Sequence, residues 1–254
     1  MQKILECADL CKTFSSKNGD IRAVDGLSFS VSKGECYGLV GESGSGKSTL
    51  GNLICALENP DSGKILFEGH DISLFNKKQM LAFRKKMQII FQDPYATLNP
   101  KHRIGSIIEE GLKIHKIGRN HEERKKLANE MRMLTGLPYD ILEKYPYELS
   151  GGQRQRVSIA SAMILNPEFL ICDECVSSLD VLIQAQILNL LKAMQKSMKL
   201  TYLFISHNLN VVSYMADRIG VMYKGQIVEE KATEELLKNP EHEYTKKLLR
   251  AAGL

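Results

Sequence analysis

Residues Gly41-Glu42-Ser43-Gly44-Ser45-Gly46-Lys47-Ser48 fit the pattern G-x-x-x-x-G-K-[ST], in which each residue type has a use at the phosphates of a nucleotide. Glycines let backbone N–H groups point inward around phosphate oxygens, where a Cβ would obstruct. Lys47 can reach the β- and γ-phosphates, and the Ser48 hydroxyl suits a Mg²⁺ ligand, with Thr49 beside it. Two acids, Asp173 and Glu174, end the apolar run Phe169-Leu170-Ile171-Cys172, which reads as a buried strand. Open α/β sheets bind ligands at the carboxyl ends of their strands. Asp173 is therefore expected to hold Mg²⁺, directly or through water, and Glu174 to polarise the attacking water. His207 follows another apolar strand, residues 202–205, and in this company is assigned a γ-phosphate contact. Gln92, after the strand 87–91, is an amide able to sense both Mg²⁺ and water. Phe14 can stack on adenine, the alternative being an ordinary core aromatic. A further glycine-rich stretch, Leu149-Ser150-Gly151-Gly152-Gln153, follows the phosphate loop at a distance of about one hundred residues.

These groups act only if defined elements hold them. The run 36–40 reads as a buried strand, and Leu50, Leu53, Ile54 and Leu57 recur at helical spacing after the loop, so the phosphates would meet a helix N-terminus. The first 35 residues alternate apolar and polar, the pattern of half-exposed antiparallel strands. Asn59-Pro60-Asp61-Ser62-Gly63 is a turn ahead of a strand over 64–67. From about 93 to 165 the character changes to a helical insertion. Residues 103–115 and 121–134 are amphipathic, the second dense in charge, and 153–165 is again helical. Alternation resumes with 169–172, 181–198 and 201–205, which implies a parallel sheet covered on both faces. From about 226 the chain reads as a short strand and two short helices. No internal repeat or low-complexity tract is visible in the sequence.

The 254 residues suffice for one full core or two subdomains. Lys and Arg number 34 against 30 Asp and Glu, and a formal charge of +4 is too weak a bias to argue for nucleic acid. No apolar stretch approaches the roughly 20 residues of a spanning helix, and the first residues lack the apolar core of a signal peptide. A cytosolic chain is expected, with any membrane role resting on other subunits. Most of Cys7, Cys11, Cys36, Cys55, Cys172 and Cys175 lie in apolar contexts, where cysteine acts as a small hydrophobe. Cys172 and Cys175 form a C-x-x-C, but no second pair stands at zinc-site spacing and the acids between them already have a use. His115 and His121 are expected to be solvated.

With these motifs in this order, the chain resembles an ATP-binding-cassette protein over essentially its whole length. The resemblance implies an α/β P-loop NTPase fold with a RecA-like, mostly parallel sheet. It adds an N-terminal antiparallel β subdomain and an inserted α-helical subdomain. Residues 1–254 would form a single ATPase domain, with the helical subdomain at about 93–165 and a short tail at about 226–254. Phe14 falls at the adenine-stacking position, Gly41 to Ser48 form the Walker A loop, and Gln92 is the Q-loop glutamine. Ser150, Gly151, Gly152 and Gln153 belong to the signature LSGGQ, matched without change. Asp173 and Glu174 end the Walker B strand, Ser177-Ser178-Leu179-Asp180 resembles the D-loop, and His207 is the switch histidine. ATP and Mg²⁺ follow as cofactors, Mg²⁺ being held by Ser48, Gln92 and Asp173. Asp180 is counted among the ATP-binding residues, and two such domains pair head to tail, so that the signature of one closes over ATP held by the other.

A narrower resemblance, to the peptide and nickel importer branch, rests on Ile90-Phe91-Gln92-Asp93-Pro94, Leu98-Asn99-Pro100, residues 181–186 and the tail segment 239–246. Cys175 stands where proline usually follows the glutamate, Ser161 where an arginine is usual, Asn208 for the aspartate after the switch histidine, and Glu243 for a tail proline. The nucleotide-contacting positions are intact, so these departures bear on the cargo. A tail that stops soon after its motif leans towards nickel-type or short-peptide members.

The leading expectation is the ATPase of an importer of peptides or nickel chelates. Its partners would be a second ATPase subunit, identical or not, integral membrane permease subunits and an extracytoplasmic substrate-binding protein, with no nucleic acid. It would lie peripherally on the cytoplasmic face of the cell membrane. Alternatives are the ATPase of a bipartite exporter and a non-transport protein of the same family. The surface expected to grip the permease runs from Gln92 to about Ile107, where Tyr95, Leu98 and Ile104 offer apolar area; burial in the insertion's own core is the alternative.

Overall fold

The computed structural model describes residues 2–16 and 19–254. The chain forms two compact units, one of residues 1–80 with 199–254 and one of residues 81–198.

In the first unit β1 (Lys3–Ser16) and β2 (Gly19–Ser32) pair antiparallel, with Cys7 opposite Phe29 and Phe14 opposite Ile21. β4 (Ser62–Phe67) adds to the other edge of β1, and β5 (His70–Asp71) to β4, giving the order β2-β1-β4-β5. The alternation in the sequence is the cause, since one face of this sheet is apolar and the other solvated. β3 (Cys36–Val40) is different, for all five of its residues are buried. It lies in parallel between β8 (Thr201–Ser206) and β9 (Arg218–Tyr223), and β10 (Gln226–Ala232) closes antiparallel on β9. A run without polar alternation is what a strand covered on both faces requires.

Helix α1 (Lys47–Ile54) starts at the phosphate loop and buries Leu50, Leu53 and Ile54. Leu57, expected on the same stripe, lies past the end of the helix and is 52% exposed. The chain turns away there through Ala56, whose φ is 53°. Also in this unit are α8 (Leu209–Met215), α9 (Thr233–Lys238) and α10 (Glu243–Ala252). Neither α8 nor β9 is separable in the sequence, because Val211, Val212, Met215, Ile219 and Val221 read as one apolar stretch.

Helix α2 (Lys77–Lys86), which local patterning also misses, buries only Phe83. In the second unit β6 (Met87–Ile90) pairs in parallel with β7 (Phe169–Asp173), from Met87 opposite Phe169 to Ile90 opposite Cys172. Five helices follow β6 or β7 in this unit: α3 (Pro94–Thr97), α4 (Ile104–Ile114), α5 (His121–Leu134), α6 (Gly151–Met163) and α7 (Val181–Met198). α4 packs on α5 and α6 and buries Ile104, Ile107, Ile108 and Leu112. Gly105 and Gly111 inside α4 cost about 1 kcal/mol each in helix propensity. Each buried isoleucine or leucine returns about 1.5–3 kcal/mol, so packing outweighs propensity here.

The expected gripping surface needs correction. Leu98 is 5% exposed and Ile104 0%, so both belong to the helical core, and only Tyr95, at 60%, is open. Ile104 begins the apolar stripe of α4 and Leu98 follows the single turn of α3, positions that the core fills first.

Candidate active site

The phosphate loop runs from buried β3 to the N-terminus of α1, as its motif demands. Gly46 caps α1 with φ +104°, in the left-handed region, and a Cβ there would come 2.0 Å from the carbonyl oxygen of Ala23. Only glycine fits both conditions. We expect Gly46→Ala to lower unfolding free energy by about 2–4 kcal/mol, from backbone strain and a clash with main chain that has no room to give. Urea titration of the variant measures this, and unchanged stability would contradict the geometry.

Lys47 is buried, 4% exposed, and its ammonium donates to the carbonyl oxygens of Gly41 at 2.7 Å and Glu42 at 2.8 Å. A buried cation needs such acceptors. The loop thereby holds the charge in place beside the α1 N–H groups, where an anion is favoured. The Ser48 and Thr49 side chains enter from the first turn of α1. Phe14 is near the end of β1, 40% exposed, with the Lys12 ammonium 5.4 Å from its ring centre. It is not a core aromatic.

His207 follows β8 directly and is exposed. Asn208 caps α8, its side-chain oxygen accepting from Asn210 N at 3.0 Å and Val211 N at 3.4 Å. Asparagine and aspartate cap equally well, so the departure at 208 leaves the histidine segment anchored. Sequence reading did not find this cap; the signal was an asparagine just ahead of an apolar run.

In the second unit β7 carries Asp173 to its carboxyl end, 6% exposed. Glu174 then turns out of line with φ 47°, an uncommon conformation for a non-glycine residue that functional sites often hold. Ser177 fixes this turn, its backbone N–H and hydroxyl both donating to Glu174 O, at 3.1 and 2.9 Å. Cys175 and Val176 are buried beneath it, each 2% exposed. Cys175 thus acts as a small apolar filler where proline was the expectation. Gln92 Nε2 donates to Glu174 Oε2 at 3.4 Å, so this unit brings together the amide and the carboxylate assigned to the attacking water. Asp180 caps α7 by accepting from Ile183 N at 3.0 Å.

The signature stretch is the N-terminus of α6. Ser150 Oγ accepts from Gln153 N at 3.3 Å and Gln153 Oε1 accepts from Ser150 N at 3.0 Å, a reciprocal capping box. This cap starts the helix at Gly151, earlier than the glycines alone would lead one to expect. Gly152 sits where a Cβ would lie 2.7 Å from Ile183 Cγ2 at the start of α7. Ser150 and Gly151 are exposed, so a helix N-terminus faces solvent with small residues around it.

A phosphate loop between a buried parallel strand and a helix, and an acid pair ending another such strand, define a nucleotide-hydrolysing α/β protein of the P-loop class. The ABC transporter family matches the chain over residues 24–177. The oligopeptide transport ATP-binding protein OppF of Bacillus subtilis (strain 168) is 50% identical over 254 residues, covering 100% of this chain and 83% of that protein. The protein of the same description from Streptococcus mutans serotype c is 47% identical, over 98% of this chain and 82% of the relative. Among solved structures, the post-hydrolysis dimer of the ATP-binding cassette MJ0796 bound to ADP and Pi superposes with a TM-score of 0.81. It is 27% identical and covers 90% of this chain and 98% of that one. The chain belongs to the ABC transporter family, and it is an ATP-binding ATPase of that family.

Proposed function

We propose that the chain is the ATP-hydrolysing subunit of a peptide importer and that its 254 residues act as one ATPase domain. The observation that carries this reading is the 50% identity to an oligopeptide transport ATP-binding protein along the full chain. The peptide names of these relatives favour peptides over nickel chelates as cargo.

The roles follow from residue chemistry. The Phe14 ring stacks on adenine, and the phosphate loop of residues 41–49 with the Lys47 ammonium binds the phosphates. The Ser48 hydroxyl, Gln92 amide and Asp173 carboxylate are hard oxygen donors, the type that Mg²⁺ takes. When bound, Mg²⁺ neutralises charge on the transferring phosphoryl group. Gln92 orients the attacking water and Glu174 takes its proton as the oxygen bonds to the γ-phosphorus and the bond to ADP breaks. His207 donates to the γ-phosphate oxygens. Ser150, Gly151, Gly152, Gln153 and Asp180 serve ATP held by a second ATPase subunit, the same chain or a homologous one.

Among the described residues no helix is long and apolar enough to cross a membrane. The importer reading implies permease subunits, with this chain at the cytoplasmic face of the membrane and a capture protein outside. A cleft of about 430 Å³ within the second unit suits a short permease helix; Leu81, Gln88, Phe91, Ile107 and Ile114 are among its lining. The hydroxyls of Ser158 and Ser161 are buried at its wall with no hydrogen-bond partner among the described residues. Leu81 and Ile114 are 43% and 57% exposed, so charge there spares the core. Replacing both with aspartate is expected to leave MgATP binding intact, to lower ATP-driven peptide uptake in proteoliposomes at least tenfold, and to weaken permease co-purification. Uptake that survives in an intact complex would move the coupling surface elsewhere, and uptake of nickel chelates in place of peptides would overturn the cargo.

A further inference from the structure

The amide of Glu42, the second residue of the phosphate loop, donates to the hydroxyl of Tyr244 at 2.9 Å, across 202 positions of sequence. Tyr244 is on the first turn of α10, in the C-terminal tail, and is 8% exposed. Its ring lies 4.3 Å from that of Tyr223 on β9, which fixes its orientation. Burial pushes its hydroxyl above the ordinary phenol range, so it stays neutral.

The tail around it is seated by polar bonds within the same unit. Glu229 on β10 accepts from the backbone N–H of Glu241 at 2.8 Å and of His242 at 3.0 Å. His242 Nδ1 in turn caps α10 by accepting from Tyr244 N at 3.1 Å. At the far end of the helix Asn210 Nδ2, on α8, donates to Ala252 O at 3.1 Å. The turn before β10 also reaches the loop, where Gly225 N donates to Ser45 O at 3.0 Å. The loop backbone is thus held from the tail side at both Glu42 and Ser45.

We propose that Tyr244 is a positioning residue of the nucleotide site: its hydroxyl holds the Glu42 amide and so presets the phosphate loop before nucleotide arrives. The proposal rests on the reading of residues 41–48 as the ATP site. A loop whose amides are already aimed loses less freedom on binding, so the hold acts on affinity for nucleotide. It does not touch the water, the γ-phosphorus or Glu174, and the chemical step should be unaffected.

Tyr244→Phe removes the hydroxyl and keeps the ring against Tyr223. In the full chain we expect the dissociation constant for MgATP and the KM to rise about three- to tenfold, the scale of one hydrogen bond. The kcat at saturating ATP should stay within about twofold, and the Tm without nucleotide should fall by about 2–4 °C. Unchanged affinity overturns the proposal. So does a parallel fall of kcat, affinity and Tm, which would mark a folding defect only. Lys47→Ala, measured beside it, tests the underlying reading. If that variant binds MgATP as the wild type does, the assignment of the site itself fails, whatever Tyr244→Phe does.

Discussion

Glu174→Gln is expected to bind MgATP within about twofold of the wild type and to hydrolyse it about 10²–10⁴-fold more slowly. The amide is isosteric with the carboxylate, and both tolerate the φ of 47° equally badly, so the fold should be unmoved. The hydroxyl and N–H of Ser177 hold the main chain of this turn, and they do not depend on the side chain at 174. Gln92, which donates to the Glu174 carboxylate at 3.4 Å, still finds an oxygen to meet in the variant. What is lost is basicity: an amide oxygen cannot take the proton of the attacking water at neutral pH. With nucleotide bound and not consumed, the variant should accumulate as an ATP-bound dimer. Size-exclusion chromatography with MgATP reads the dimer, and a phosphate-release assay reads the rate. Turnover at the wild-type rate would remove Glu174 from its role.

A second large effect separates the two glycine-rich loops. Lys47→Ala should weaken MgATP binding about 100-fold. It deletes a buried ammonium whose charge-assisted bonds to phosphate are each worth about 1.5–3 kcal/mol. Ser150→Arg should leave binding within about twofold and abolish at least about 99% of hydrolysis. Ser150 is exposed at the N-terminus of α6 and stands outside the loop proposed to hold phosphate in the same chain. Its replacement removes one acceptor of the capping box, which costs about 1 kcal/mol of helix stability. It also sets a long cation over a helix end that we propose faces the γ-phosphate of ATP held by a second subunit. Nucleotide titration and steady-state hydrolysis on both variants check the contrast. An equal loss of affinity in the two would contradict the division of labour between a loop used in cis and one offered in trans.

The catalytic parts were legible because each is a local pattern with a local cause. Gly46 needs a left-handed backbone, the buried run 36–40 needs cover on both faces, and Ser150 with Gln153 forms a cap from residues three apart. Strand β7 announces itself by an unbroken apolar run, and the amphipathic α4 and α5 by helical periodicity. Where period was absent the reading fell silent. α8 has seven residues, under two turns, and β9 follows almost at once, so no window of one period was long enough to be seen.

By itself, then, the sequence determined the family and the P-loop class of the fold and marked the residues proposed for nucleotide chemistry, since these are written in short stretches whose backbone demands are strict. Tertiary structure decided which apolar side chains are spent on the core and which distant groups meet. Leu98, Ile104 and Tyr95 are all apolar candidates in the sequence, yet the folded unit buries the first two and leaves the third exposed. Nothing near Tyr244 in the chain foretells its bond to Glu42, because a hydrogen bond across 202 residues depends on where β9, β10 and α10 come to rest. Local conformation follows from steric limits within a few residues, whereas such meetings follow from the burial of surfaces that only the assembled elements possess.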